Sequence, residues 1–237
     1  MHRFAPLGLL ALLAFSFPIL GKPDAEKPAD AKEALQALQD YIGGWKGNAS
    51  SEKDKSSLWK ETAEWSWRFK GKEIFFSVNM GTSKLFKKGE MRYVPDKGLY
   101  QLALTTKDGK DQVFEGKIAK GGYLTLERID PATKEGQQIK INTAGGGLRL
   151  ILTYATRAPE RTIFNKQFQV SYTKEGESFG TAGDKGPECV VTGGRGTSTV
   201  SYMGVTYYVC CSGCRDAFNE NPAKIVAEYK ARKKAGR

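Results

Sequence analysis

From Gly44 to about Lys174 apolar side chains recur at every second position, in short runs parted by glycine-bearing turns, and nothing else in the chain restricts its fold so strongly. A period of two places Trp65, Trp67 and Phe69 on one face of a strand. Tyr100, Leu102 and Leu104 share the face of another, and Leu148, Leu150, Leu152 and Tyr154 that of a third. The turns are legible as Lys70-Gly71-Lys72, Pro95-Asp96-Lys97-Gly98, Lys107-Asp108-Gly109-Lys110, Lys120-Gly121-Gly122 and Gly145-Gly146-Gly147. This spacing predicts about ten antiparallel strands, too many for an open sheet with two exposed edges. Closure into an up-and-down β-barrel removes the edges, so the expected class is mainly β.

The segment before the barrel divides into three. Met1 to Phe15 joins a basic start to the apolar run Leu7 to Phe15, which is short for a membrane span and suited to a secretory signal, so residues 1–21 are expected to be removed on export. An uncleaved anchor is the alternative, and the lack of cysteine there excludes a lipoprotein anchor. Residues 22–31 form a polar linker with two prolines. Asp30 then offers an N-cap to a helix of about three turns carrying Ala31, Ala34, Leu35, Leu38 and Ile42, with Gly43 ending it.

A short helix leading through Gly43-Gly44-Trp45-Lys46-Gly47 into a meander resembles the opening of the lipocalin-like, or calycin, barrels, where a Gly-x-Trp element closes one end. The resemblance spans roughly residues 32–175 and implies a domain over 32–178. It also implies an apolar ligand, for which Trp59, Trp65, Trp67, Phe75 and Phe76 are candidate lining residues; the alternative is that these aromatics fill the barrel. Some relatives hold haem through histidine. The single histidine here, His2, lies in the expected signal, so that property does not carry over.

All four cysteines lie beyond a glycine-rich linker at 179–186. Cys189 comes first, and Cys210-Cys211-Ser212-Gly213-Cys214 follows a hairpin read from Ser198–Tyr202 and Val205–Val209 about Met203-Gly204. Residues 213–219 read as a helix, and Asn221 with Pro222 opens another carrying Ile225, Val226 and Tyr229. A unit of about 45 residues seldom folds on apolar burial alone, so a metal or disulfide staple is expected over 187–230, with 231–237 a basic tail.

This unit resembles the YHS family, a branch of the TRASH-type treble-clef-like modules. The resemblance rests on Glu188-Cys189-Val190-Val191-Thr192-Gly193, Gly204-Val205-Thr206-Tyr207-Tyr208, the cysteine cluster, and Arg215 to Pro222. It implies an α+β module that binds a heavy metal through cysteine. The family cysteines fall on Cys189, Cys210 and Cys214, Cys211 is an additional thiol, and no Tyr-His-Ser run is present.

The residues by themselves leave three chemistries open. Thiolates without imidazole favour a soft ion, Cu(I) or Zn(II), over magnesium or calcium. Cys214 is placed near a helix N-terminus, whose dipole favours thiolate, and the vicinal Cys210 and Cys211 point apart on a regular strand. In an oxidising compartment the four cysteines could instead pair as disulfides in three ways. Cys211-Ser212-Gly213-Cys214 is also formally a redox C-x-x-C, although the surrounding βαβ elements of a thioredoxin-like enzyme are lacking.

Composition narrows the function classes further. With its histidine removed, the mature chain cannot build a histidine-dependent triad or a histidine-ligated zinc site. No nucleophile elbow, phosphate loop or zinc-protease pattern occurs. The net charge of +11 suits an anionic surface, yet Lys and Arg are scattered along the strands, and export argues against nucleic acid. The expectation is a non-enzymatic exported protein, periplasmic or extracellular, binding Cu(I) or Zn(II) for sensing, storage or delivery. The alternatives are a thiol redox protein using Cys211 and Cys214, or a disulfide-stapled structural protein with a ligand in its barrel.

Overall fold

The alternating runs form ten strands in the computed structural model, which describes residues 30–54, 56–176 and 186–236. The expected signal (1–21) and nearly all of both expected linkers lie outside the described residues. The strands are β1 (Gly43–Ser51), β2 (Leu58–Lys70), β3 (Glu73–Asn79), β4 (Phe86–Val94), β5 (Leu99–Thr106), β6 (Asp111–Ile118), β7 (Leu124–Ile129), β8 (Gly136–Ala144), β9 (Arg149–Arg157) and β10 (Asn165–Lys174). Each pairs antiparallel with its sequence neighbour, and β1 pairs with β10 from Trp45 opposite Lys174 to Ser51 opposite Phe168, which closes the barrel. The connection most dependent on glycine is Gly145-Gly146-Gly147 between β8 and β9, where three successive residues at φ 61°, 66° and 86° adopt a left-handed backbone that side chains resist.

Alternation delivers the core as read. Trp65 and Trp67 of β2, Tyr100, Leu102 and Leu104 of β5, and Leu150 and Leu152 of β9 are buried. Trp67 and Phe76 meet edge to face at 4.6 Å, and Tyr41 and Trp65 at 5.6 Å, so these candidate pocket residues pack on their neighbours in the core. Phe75 follows the opposite parity to Phe76 along β3 and lies under the Arg92 guanidinium at 4.2 Å. It therefore does not share the interior face with Phe76, as a common pocket would require.

Among the described residues one charged side chain is buried in the core. Glu61 is 2% exposed and accepts from the Trp59 indole at 2.7 Å, the Tyr172 hydroxyl at 2.9 Å and the Lys84 backbone N–H at 3.4 Å. Burial, followed by the Glu61 charge and hydrogen bond, pushes the Tyr172 phenol well above its usual range. Glu61→Ala strands two buried donors, so it should cost about 2–4 kcal/mol, whereas Glu61→Gln keeps an acceptor and should cost less. Urea unfolding midpoints check this, and equal midpoints for the two variants would contradict the assignment.

The N-terminal helix differs from its expected form. Asp30 does cap it, accepting from the Glu33 N–H at 2.8 Å, but α1 runs only from Ala31 to Gln36 and gives way to a 3-10 turn over Gln39–Tyr41. The tighter turn places Tyr41 at the barrel end, where its hydroxyl donates to the Ile141 carbonyl and its own carbonyl accepts from the Trp45 indole. Tyr100 donates from the barrel to the Ala34 carbonyl. A continuous helix through Ile42 would forfeit this arrangement.

The C-terminal unit packs directly on that region of the barrel. Its hairpin is β11 (Ser198–Tyr202) and β12 (Val205–Val209), turned at Met203 and Gly204 with both φ values positive. Helices α2 (Ser212–Glu220) and α3 (Pro222–Ala235) follow, the second capped by Asn221 accepting from the Lys224 N–H. Because α3 extends to Ala235, residues 231–235 are helical and not a free basic tail. Trp67 of the barrel and Cys189, Cys210, Cys214 and Phe218 of the unit belong to one contiguous apolar cluster.

Candidate metal centre

Cys189 sits in a tight turn held by its own backbone. Its N–H donates to the Gly194 carbonyl at 2.6 Å, its carbonyl accepts from the Gly193 N–H at 2.9 Å, and Gly193 adopts φ +80°. Val190 then donates to the Tyr208 carbonyl, pairing the turn alongside β12. This lateral pairing brings Cys189 level with the end of β12, where Cys210 follows. Cys211 is the N-cap of α2 and Cys214 lies in its first turn. Three separate local geometries thus converge on one point.

The Cys189, Cys210 and Cys214 sulfurs all lie within 4.8 Å of one another, and those of Cys210 and Cys214 are 3.5 Å apart. None of the four cysteines is joined in a disulfide. A metal bound tetrahedrally by sulfur at about 2.3 Å requires sulfurs about 3.8 Å apart, so the observed nest needs only small adjustments to hold an ion. Cys189 and Cys214 are fully buried and Cys210 is 7% exposed. Cys211 is half-buried and lies outside the mutually close set, but it interacts with Cys210 and Cys214. The expectation that the vicinal thiols point apart as on a regular strand does not apply, because β12 ends at Val209 and both thiols lie beyond it.

The cluster cannot ionise completely at neutral pH. Cys189 is pulled well below the usual thiol range by Cys210 and Cys214, with help from the Thr192 hydroxyl and backbone N–H. Cys211 is pulled down by Cys210 and Cys214 and by the backbone N–H groups of Cys214 and Trp67. Cys210 is pushed up, first by Cys189. Cys214 is pushed up by Cys189, Cys210 and Cys211 together. The four sulfurs therefore titrate as one coupled group in which not all can be charged together.

That coupling has a sign. An ion bound by Cys189, Cys210 and Cys214 must displace the protons the cluster retains, so affinity should rise with pH by up to about tenfold per displaced proton per unit. Competition titrations at pH 6, 7 and 8 measure it, and a pH-independent affinity would contradict the incomplete ionisation of the cluster.

Several supporting residues carried no signal in the pattern of cysteines. Thr192 is buried with its hydroxyl 3.6 Å from the Cys210 sulfur, and its carbonyl accepts from the Gln36 side chain of α1 at 2.6 Å. Arg232 of α3 reaches back to Glu188 at 3.1 Å and to the carbonyls of Cys189 and Val190 at 3.4 and 3.2 Å. Arg68 of β2 donates to the Ser212 hydroxyl at 3.3 Å. Thr192 was findable as the fourth residue of a Cys-x-x-Thr-Gly turn; Arg232 and Arg68 become visible only once the helices are placed.

No protein-family model matches this chain, and no curated protein matches it. Twelve chains of solved structures do. One is the crystal structure of Rv2717c from M. tuberculosis, 18% identical, aligned over 60% of this chain and 97% of that one with a TM-score of 0.39. At that similarity it bears on neither the cysteines nor the function.

Proposed function

We propose that this is an exported binding protein whose YHS-like cysteine unit takes up a soft heavy-metal ion, Cu(I) or Zn(II), for sensing, storage or delivery. The observation that carries the reading is the convergence of three buried sulfurs, from a turn, a strand end and a helix start, to within 4.8 Å. Cys189, Cys210 and Cys214 are the ligands and Cys211 is auxiliary. A three-sulfur set satisfies Cu(I) directly, while Zn(II) takes a fourth ligand from Cys211 or water. The α2 N-terminus supplies positive potential toward the added thiolate charge. Thr192 and Arg232 hold the Cys189 turn in place, the usual task of groups that surround metal ligands.

The test is to purify the mature full chain under reducing, metal-retaining conditions and determine bound metal and free thiols together. One copper or zinc per chain, with Cys189, Cys210 and Cys214 protected from alkylation until a chelator is added, is the expected result. A metal-free chain with its cysteines paired as disulfides would overturn the reading in favour of the stapled or redox alternatives.

A further inference from the structure

Four thiols at one site differ sharply in their access to solvent, and a static store of metal needs no such gradient. Cys189 and Cys214 are fully enclosed. A cleft of about 1520 Å³ runs between this unit and β1 and β2 of the barrel, and among its described lining residues are Cys210, Cys211, Ser212 and Tyr208 but neither Cys189 nor Cys214. Cys211 combines the greatest exposure of the four with direct interaction with Cys210 and Cys214. It lines the cleft beside Cys210 while touching the nest.

We infer that Cys211 is the exchange thiol of this site, passing the ion between the buried nest and a thiol-bearing donor or acceptor that approaches through the cleft. The inference rests on the metal-binding reading above. In release, a metal–Cys211 bond forms as the metal–Cys189 bond breaks, which moves the ion toward the cleft while Cys210 and Cys214 still hold it. Thiolates of the acceptor then replace Cys211, Cys210 and Cys214 in turn. Each step trades one metal–sulfur bond for another, the departing thiolate takes up the proton given by the incoming thiol, and no electrons are transferred. Loss of Cys211 removes the intermediate ligand, so capture and release should slow together and the ratio that sets affinity should change far less.

The experiment loads the full chain with Zn(II), or with Cu(I) if that is the ion it retains, and follows transfer to excess dithiothreitol by stopped flow, with affinity measured separately by chelator competition. Cys211→Ser should slow transfer at least tenfold while weakening affinity by only a few-fold. A second measurement avoids substitution: in the loaded parent, iodoacetamide should label Cys211 at least tenfold faster than the other three cysteines, as read by mass spectrometry. Parent-like transfer by Cys211→Ser, or equal protection of all four thiols, would overturn the exchange role while leaving metal binding intact. A parent chain that retains neither ion would overturn both.

Discussion

Serine at Cys189, Cys210 or Cys214 lowers metal affinity by about two to four orders of magnitude, whereas serine at Cys211 has a much smaller effect. Apparent binding free energies of structural thiolate sites are about 10–16 kcal/mol, so each of three ligands accounts for about 3–5 kcal/mol. The three sulfurs share one nest within 4.8 Å, and each comes from a backbone segment fixed by its own hydrogen bonds, so each substitution removes a preformed metal–sulfur bond. Competition against a Cu(I) or Zn(II) chelator under reduction measures the series. Parent-like affinity in all four variants would refute the site, and an equally severe loss at Cys211 would establish a four-thiolate centre.

Gly213→Ala should destabilise the full chain by about 3 kcal/mol. Helix propensity alone argues the opposite, since alanine inside α2 is favoured over glycine by about 1 kcal/mol. The deciding fact is position: a Cβ at Gly213 would lie 1.7 Å from the Trp67 carbonyl oxygen of β2, a backbone atom with no rotamer to change. To admit the methyl group α2 must withdraw from the barrel, loosening the Ser212 contact with Arg68 and exposing part of the shared core around Trp67 and Phe218. Gly236→Ala, whose added carbon would come no nearer than 3.6 Å to the Arg232 carbonyl, serves as the near-neutral control. Thermal unfolding with indole fluorescence reads both, and a Gly213→Ala chain as stable as its parent would show that the helix-to-barrel contact contributes little.

The same contact bears on how the chain is organised. The sequence reads as two units parted at 179–186, yet the cysteine nest is built against β2 and braced by Gln36 of α1 through Thr192. Metal loading and barrel stability should accordingly be coupled. A shift in the barrel's unfolding midpoint on adding one equivalent of Zn(II) measures that coupling, and an unchanged midpoint would show the two units to be energetically separate.

The barrel and the cysteine set were largely legible in the residues alone, because both depend on local rules. Period-two burial fixes which side chains of β2, β5 and β9 face the core, glycine fixes where the chain can reverse, and Asp30 and Asn221 cap helices through hydrogen bonds spanning three residues. Convergence of Cys189 with Cys210 and Cys214 follows from a hairpin of countable length. Tertiary structure alone decided what depends on contacts between distant segments. The Tyr41 contact with β8 accompanies a helix shorter than its apolar period, Phe75 leaves the interior because of its parity along β3, and Glu61 is buried because Trp59, Tyr172 and Lys84 all donate to it. The four sulfurs crowd a desolvated space where they cannot all be charged, a consequence of packing to which sequence spacing has no access.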